Sequence, residues 1–198
     1  MARYPGIPEP SFRDIARVEN DGFAMSEYHL VNHIGTHVDA PAHQIADGDT
    51  LDDIALERLV TDAVTLDFRE HDKGALTHGD VEPHLDEIRA GDLVFMASGN
   101  DSNWGREEYW NGWCYPDAEA SRAIIERGVS GIGFDGPSAD PVDTTTFDLH
   151  KVWLSAGRLI IENLSNLTEL PPRVRVVVAP MKVRRANGAP ARVFALID

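Results

Sequence analysis

The chain concentrates its chemistry in one short stretch, which reads His33-Ile34-Gly35-Thr36-His37-Val38-Asp39-Ala40-Pro41-Ala42-His43. In a helix, Asp39 would lie about 160° round the axis from His37, and glycine, β-branched residues and proline all disfavour that conformation. In an extended chain, residues 33, 35, 37 and 39 point to one side, while Ile34 and Val38 point to the other, into the core. We therefore predict a strand that presents two imidazoles and a carboxylate on one face, with open space at Gly35.

These side chains are donors of the kind that bind transition metals. Neutral imidazole nitrogens and a carboxylate oxygen suit zinc, manganese or iron, and three protein ligands leave a coordination position open for water. The alternative interpretation is a set of hydrogen-bonded or exposed histidines. We favour the metal site because three of the eight histidines fall within residues 33–43, beside an aspartate.

Length, composition and charge narrow the class of protein. The 198 residues, of which 42% are hydrophobic, predict one globular domain spanning residues 1–198. The formal net charge of -15 repels phosphate backbones and anionic lipids, so we expect neither a nucleic-acid nor a membrane partner. Cys114 is the single cysteine, which leaves His and carboxylates as metal ligands. Without an apolar leader or spanning segment in the sequence, we expect a cytoplasmic protein.

The pattern of apolar residues predicts alternating strands and helices. We expect helices over 51–60, 77–88 and 117–128, and strands over 24–33, 63–68, 91–96, 129–134, 158–161, 174–179 and 192–196. The predicted class is α/β with a mixed, largely β core. Residues 98–116 break this pattern and are rich in aromatic side chains. Among these, Trp104, Trp110 and Trp113 either cover an aromatic ligand or lie in a subunit contact, and both interpretations remain open.

Several motifs resemble those of the metal-dependent cyclase family, which includes bacterial kynurenine formamidases and isatin hydrolases. The stretch at 33–43 matches the family pattern H-x-G-T-H-x-D-x-P-x-H. The segment Gly133-Phe134-Asp135-Gly136-Pro137-Ser138-Ala139-Asp140 is similar to the family's G-x-D-x-x-S-x-D. His150 followed by Ile161-Glu162-Asn163-Leu164 resembles its downstream elements, so the likeness extends over nearly the whole chain.

This resemblance implies a swivelling β/β/α cyclase-like fold and a site for one or two divalent ions, Zn²⁺ or Mn²⁺. It implies that His33, His37 and Asp39 bind the first ion, and that Asp39, His150 and Glu162 complete a second position. It further implies that His43 is the acid/base residue, that Tyr4 contacts the substrate, and that the protein is a homo-oligomer, either a dimer or a tetramer. The side chains of Asp135, Ser138 and Asp140 either orient metal ligands or cap a turn.

The activity implied by the resemblance is hydrolysis of a C–N amide bond. The substrate would be an aryl formamide such as N-formylkynurenine, or a cyclic amide such as isatin. Two alternatives remain open. The same site could serve a lactone hydrolase, a cyclase or a dehydratase, or the protein could bind a metal or a small molecule without catalysis.

Overall fold

Most strands of the protein close into a barrel in the computed structural model, which describes Tyr4 and residues 6–197. The strands are β1 (Ser11–Ala16), β2 (Met25–His29), β3 (His37–Asp39), β4 (Val60–Asp67), β5 (Gly74–Leu76), β6 (Leu93–Ala97), β7 (Cys114–Pro116), β8 (Gly131–Phe134), β9 (Leu159–Glu162), β10 (Arg173–Pro180) and β11 (Gly188–Leu196). The helices are α1 (Val18–Asp21), α2 (His78–Val81), α3 (Ala118–Glu126) and α4 (Asp148–Ser155). Short 3₁₀ turns lie between them, for example at Pro41–His43.

The barrel has the strand order β10-β11-β3-β9-β8-β6-β4 and then closes on itself. The strands β4, β6, β8 and β9 pair in parallel, which is the arrangement that crossover helices produce. The remaining pairs, including β3 with both β9 and β11, are antiparallel. This topology places the short strand β3 between two strands that come from the C-terminal part of the chain.

The two-residue period of the strands divides the core into two clusters. On β6, Leu93 and Phe95 belong to the cluster that fills the barrel, while Val94 and Met96 pack under the helices. Gly133 of β8 faces the barrel interior, where an added Cβ would lie 2.8 Å from the Phe95 ring. The mixed α/β class with a largely β core, expected from the sequence, is confirmed.

Most predicted elements are present with shifted ends. The strands expected around residues 63–68, 91–96, 129–134, 158–161, 174–179 and 192–196 correspond to β4, β6, β8, β9, β10 and β11. The helix expected over 117–128 is α3, and its N-terminus is capped by the side chain of Asp117. No described helix is both long and apolar enough to cross a bilayer.

The helix predicted over residues 51–60 is wrong, because this segment forms turns and a single 3₁₀ turn at Leu56–Arg58. The backbone N–H of Thr50 donates to Asp53 Oδ2, and the Thr50 hydroxyl donates to Asp52 and to Asp53. Such local side-chain bonds compete with helix formation. The apolar spacing instead buries Leu51 and Ile54 from an irregular segment.

A second difference is the helix α4, which lies in a stretch that the sequence pattern left irregular. The residue before it, Phe147, has a left-handed backbone and makes no side-chain cap. The cap comes from Asp140, whose carboxylate accepts the backbone N–H groups of Leu149 and His150. A capping residue this far upstream gives no local start signal, which explains why the helix was missed.

Candidate active site

The floor of the site is formed by neighbouring strands β3 and β9. His37 and Glu162 are direct cross-strand partners, so their side chains lie on the same face, and Asp39 shares that face two residues along β3. Val38 points the opposite way, into the barrel cluster. All three polar side chains are at least 95% buried, with Asp39 fully inaccessible. Sheet pairing therefore gathers two carboxylates and an imidazole beneath the surface.

The expected continuous strand from residue 33 to 39 is wrong, because β3 begins only at His37. Gly35 has a φ of 61°, in the left-handed region that glycine adopts without steric cost, and this turn interrupts the extended chain. The carbonyl oxygen of Gly35 accepts a hydrogen bond from Nδ1 of His37, at 2.9 Å. The turn therefore fixes the proton on Nδ1, so that Nε2 of His37 faces the carboxylates.

His33 reaches the same carboxylate from beyond this turn. Its Nδ1 lies 2.6 Å from Oδ1 of Asp39, and its Nε2 lies 3.0 Å from Oδ1 of Asn187. That amide oxygen also accepts from the side chain of Asn32, so we assign the proton of the imidazole to Nε2. Gly188 leaves room for the ring, since an added Cβ there would lie 2.3 Å from Cε1 of His33.

The helix α4 supplies His150 from the other side of the site. Nδ1 of His150 donates to Oδ2 of Asp140 at 2.6 Å, which leaves Nε2 facing Asp39 at 3.6 Å and Glu162 at 3.2 Å. Asp140 thus both caps the helix and orients the imidazole. The two interpretations left open for this carboxylate, orientation of a ligand and capping, therefore both apply to Asp140.

For Asp135, the capping interpretation applies. Its Oδ2 accepts the backbone N–H groups of Ser98, Gly99 and Asn100, which fixes the beginning of the aromatic segment 98–116. Burial raises the pKa of this carboxyl to about 6, although these hydrogen bonds oppose the shift. Asp135 therefore anchors the segment that carries one wall of the pocket.

Asp39 lies at the centre of the arrangement. Burial would raise the pKa of its carboxyl, but His37, His150 and His33 hold that pKa well below its usual range. Burial likewise opposes protonation of the imidazoles, yet the carboxylates of Asp39 and Glu162 raise the pKa of His37 to about 9. The bond with Asp140 and the charges of Asp39 and Glu162 raise the pKa of His150 well above its usual value. The two buried carboxylates, Asp39 and Glu162, therefore favour positive charge beside them.

A divalent cation fits this environment. The Oδ2 atom of Asp39 is buried without a hydrogen-bond partner, and one ring nitrogen from each of His33, His37 and His150 points towards this carboxylate. Two overlapping sets have donor atoms that all lie within 4.8 Å of one another: His33, His37 and Asp39, and Asp39, His43 and His150. Glu162 spans the two sides, with Oε2 at 3.3 Å from His37 Nε2 and Oε1 at 3.2 Å from His150 Nε2.

His43 differs from the other imidazoles in having no hydrogen bond on either nitrogen among the described residues. It ends the 3₁₀ turn at Pro41–His43, and its ring centroid lies 3.9 Å from that of His33 and 5.8 Å from that of His150. Burial lowers the pKa of His43 to about 4. The ring is therefore neutral at physiological pH, with a free lone pair beside the candidate metal ligands.

The cluster opens into a pocket of about 440 Å³. Its apolar wall is formed by Tyr4, Ile7, Val31, Ile34, Trp110 and Phe147. The hydroxyl of Tyr4 donates to the carbonyl oxygen of Val142 at 2.8 Å, and its ring meets Trp110 edge to face. Of the three tryptophans in the aromatic segment, only Trp110 lines this pocket. Trp113 is buried with its indole N–H on the Ser138 carbonyl, and Trp104 is 42% exposed.

The structure thus brings together His33, His37, Asp39, His43, His150 and Glu162, and places Tyr4 on the rim of the same pocket. Sequence reasoning missed the contribution of Asn187 and Gly188, which position His33. The signal for these two residues lies only in the pairing of β11 with β3, where Gly188 is the partner of Asp39.

Comparison with known proteins supports the family resemblance seen in the sequence. Residues 2–141 match the Cyclase family, described as "Putative cyclase". A kynurenine formamidase of Salinibacter ruber is 31% identical over 199 residues, covering 96% of this chain and 89% of that enzyme. An isatin hydrolase of Roseibium aggregatum is 29% identical, covering 96% of this chain and 82% of its own. The solved structure of isatin hydrolase A from Ralstonia solanacearum superposes with a TM-score of 0.86 at 26% identity, covering 100% of this chain and 86% of that one.

The extent of these matches agrees with the geometry of the site and with the motifs read from the sequence. The chain belongs to the Cyclase family.

Proposed function

We propose that the protein is a metal-dependent hydrolase that cleaves the C–N bond of a small aromatic amide, either an aryl formamide such as N-formylkynurenine or a cyclic amide such as isatin. The observation that carries this proposal is the buried, unpartnered oxygen of Asp39. Imidazole nitrogens of three histidines face the two oxygens of this carboxylate at the bottom of an apolar pocket. The similarity to a kynurenine formamidase and to isatin hydrolases supports the reaction class.

In this proposal, His33, His37 and Asp39 hold a divalent ion, and Asp39, Glu162 and His150 provide a second position. A donor set of nitrogen and oxygen atoms suits Zn²⁺ or Mn²⁺. When bound, such an ion lowers the pKa of a ligated water and polarises the carbonyl oxygen of the substrate. The opposite imidazole nitrogens of His33, His37 and His150 are fixed by Asn187, Gly35 and Asp140, so the donor atoms are oriented in advance.

His43 moves the proton in this reaction. Its ring is neutral, and its non-protonated nitrogen is free to accept a proton from the attacking water. The protonated ring then donates to the departing nitrogen as the C–N bond breaks, which restores the neutral imidazole. Such a transfer contributes on the order of 10²–10⁴ in rate.

The pocket wall favours an uncharged aromatic ring in the substrate. Trp110 and Phe147 provide flat apolar surface, and Tyr4 contributes its ring while its hydroxyl is tied to Val142. No lysine or arginine lines this pocket within the part of the chain that the structure describes. A substrate carboxylate would therefore meet no paired cation outside the metal position, so we expect the reacting amide and its ring to supply most of the binding energy.

The test is metal analysis of the purified protein by mass spectrometry, combined with hydrolysis assays on N-formylkynurenine, isatin and simple aryl formamides. Each substrate is assayed before chelation, after chelation and after reloading with Zn²⁺ or Mn²⁺, with the free ion alone as control. We expect turnover that chelation abolishes and reloading restores. Failure to bind either ion after loading would overturn the metal site. A fully loaded protein that cleaves none of the amides would overturn the proposed reaction and favour the lactone or cyclase alternatives.

A further inference from the structure

Asn163 lines the same pocket as Glu162, although neighbouring residues of a strand point to opposite faces. The strand β9 ends at Glu162, and Asn163 has a φ of 59°, a left-handed conformation that asparagine adopts more readily than most residues. Beyond this turn, Leu164 packs in the barrel cluster. The backbone N–H of Asn163 donates to the Gly136 carbonyl, and its carbonyl oxygen accepts from the Thr36 hydroxyl. The turn is therefore held from both sides.

The carboxamide of Asn163 has one fixed end. Its Oδ1 accepts a hydrogen bond from the hydroxyl of Tyr109 at 2.8 Å. Tyr109 is 1% exposed, and its hydroxyl has no other partner within the described part of the chain, so a satisfied O–H must donate to Oδ1. Burial and the charges of Asp135 and Glu162 raise the pKa of Tyr109, which keeps this proton in place. The other end of the amide, Nδ2, is therefore the donor that remains for the pocket.

Tyr109 is itself held by the segment that forms one wall of the pocket. Its carbonyl oxygen accepts from Nδ2 of Asn100 at 2.9 Å, and the backbone N–H of Asn100 donates to Asp135. The Tyr109 ring meets that of Trp110 edge to face, with centroids 5.7 Å apart. One set of contacts thus fixes both the aromatic wall at Trp110 and the orientation of the Asn163 amide.

A second side-chain amide lines the pocket at Gln44 and provides a contrast. Gln44 is half-buried, and no described residue forms a hydrogen bond with its side chain. Asn163 is 9% exposed and fixed at Oδ1, while its Nδ2 has no partner among the residues that the structure describes. A donor that is already oriented loses little conformational freedom when a ligand binds, so Asn163 is the better placed of the two amides.

We propose that Nδ2 of Asn163 donates a hydrogen bond to the carbonyl oxygen of the substrate amide, and that Tyr109 positions this donor. The inference rests on the proposed function, since it assigns a donor to the amide that the enzyme cleaves. Attack of water on the carbonyl carbon moves negative charge onto this oxygen, so a fixed N–H binds the transition state more strongly than the substrate.

The test compares the binding of two ring compounds. Oxindole contains a cyclic aryl amide, and indoline is the same bicyclic skeleton without the carbonyl oxygen. Calorimetric titration is done on the protein as purified and again after chelation, when no metal ion binds that oxygen. We expect the wild type to prefer oxindole in both states. In Asn163→Gly, which keeps the left-handed backbone without strain and lacks the donor, we expect this preference to fall by about five- to tenfold.

The matched control is Asn166→Gly. Asn166 is also an asparagine with a left-handed backbone, at a φ of 60°, and it lies exposed in the same loop without lining this pocket. We expect the preference for oxindole to stay at the wild-type level in this variant. A loss of preference in Asn166→Gly equal to that in Asn163→Gly would assign the effect to the loop and overturn the inference.

A third variant, Tyr109→Phe, removes only the hydroxyl that orients the amide. We expect the preference for oxindole to fall while the affinity for indoline stays unchanged. A purely structural role of Tyr109 would instead weaken the binding of both compounds equally, and that result would remove Tyr109 from the proposal.

Kinetics on the metal-loaded enzyme give a second measurement. In Asn163→Gly, we expect kcat to fall by about 10²–10³-fold at wild-type metal content, with a smaller change in KM. If the wild type cleaves none of the amides, the proposed function fails, and the binding comparison still decides whether Asn163 is a carbonyl donor. A wild type that binds the two compounds equally, or an Asn163→Gly variant that keeps the preference, would overturn this inference even in an active hydrolase.

Discussion

The two sides of the candidate metal site reach Asp39 by different routes. On one side, His33 and His37 are close to Asp39 in sequence, and the Gly35 turn sets their position. On the other side, His150 and Glu162 come from α4 and β9, more than 100 residues later in the chain. The near side is therefore set by local backbone conformation, while the far side depends on sheet pairing and on the cap of a helix.

The outer partners of the imidazoles, which bind the ring nitrogens facing away from Asp39, also differ between the two sides. On the near side, His37 and His33 face neutral oxygens, the Gly35 carbonyl and the Asn187 amide. On the far side, His150 faces the carboxylate of Asp140 at 2.6 Å. A charged partner makes the imidazole a more basic ligand, so we expect the far side to depend more strongly on its outer partner.

Asp39 belongs to both sides, and its removal is expected to have the largest effect. In Asp39→Ala, all three imidazoles lose their shared carboxylate. We expect metal affinity to fall by more than about 100-fold, and turnover to disappear with the metal. Calorimetric titration with Zn²⁺ measures the affinity, and Asp67→Ala on the exposed end of β4 is the control. Retention of wild-type affinity would exclude Asp39 as a shared ligand.

His43 lies between the two sides, and its replacement separates catalysis from binding. In His43→Ala, we expect metal content to stay at the wild-type level while kcat falls by about 10²–10⁴-fold, since the proton carrier is lost. Loss of metal in this variant would instead assign His43 to the donor set with Asp39 and His150. Unchanged turnover would remove it from the mechanism. Metal analysis and kinetics on the same sample distinguish these results.

The near side could be predicted from sequence because its donors are two and four residues apart. The alternation at His37, Val38 and Asp39 was correct, since a strand fixes opposite faces for successive residues. The continuous strand expected over residues 33–39 was wrong, because Gly35 adopts a left-handed conformation that glycine permits but does not require. His33 still reaches Asp39, although by a turn rather than by the expected period.

The far side could not be predicted from local patterns. The helix that carries His150 starts without a local capping residue, and its cap, Asp140, lies before an irregular segment. Glu162 follows an apolar run, where a charged residue more often marks the end of a strand. Only its pairing with His37 across the sheet places it in the candidate metal site. His150 and Glu162 could be named before the structure only through the family resemblance.

Replacing the outer partners tests the difference between the sides directly. We expect Asp140→Asn, which removes the charge behind His150, to weaken metal binding by about 100-fold, and Asn187→Ala, behind His33, to weaken it by about tenfold. The exposed acid Asp148 on the same helix provides a control through Asp148→Asn. Calorimetry on all three variants measures the order, and equal losses for Asp140 and Asn187 would contradict the proposed asymmetry.

The smallest expected effect is a pH dependence of stability in the metal-free protein. The pKa of His37 is raised to about 9 and that of His150 is raised as well, so the folded state holds their protons more tightly than the unfolded chain does. Their contribution is complete below about pH 6.5 and is lost as the pH rises through about 9. Because metal binding requires deprotonated imidazoles, stabilisation by Zn²⁺ changes in the opposite direction. Thermal unfolding with a chelator should therefore show Tm falling by a few degrees across this range, while the gain in Tm on adding Zn²⁺ widens. In His37→Gln the fall in Tm should be smaller. If Tm instead depends on pH as it does in the wild type, His37 does not hold a proton between the carboxylates of Asp39 and Glu162.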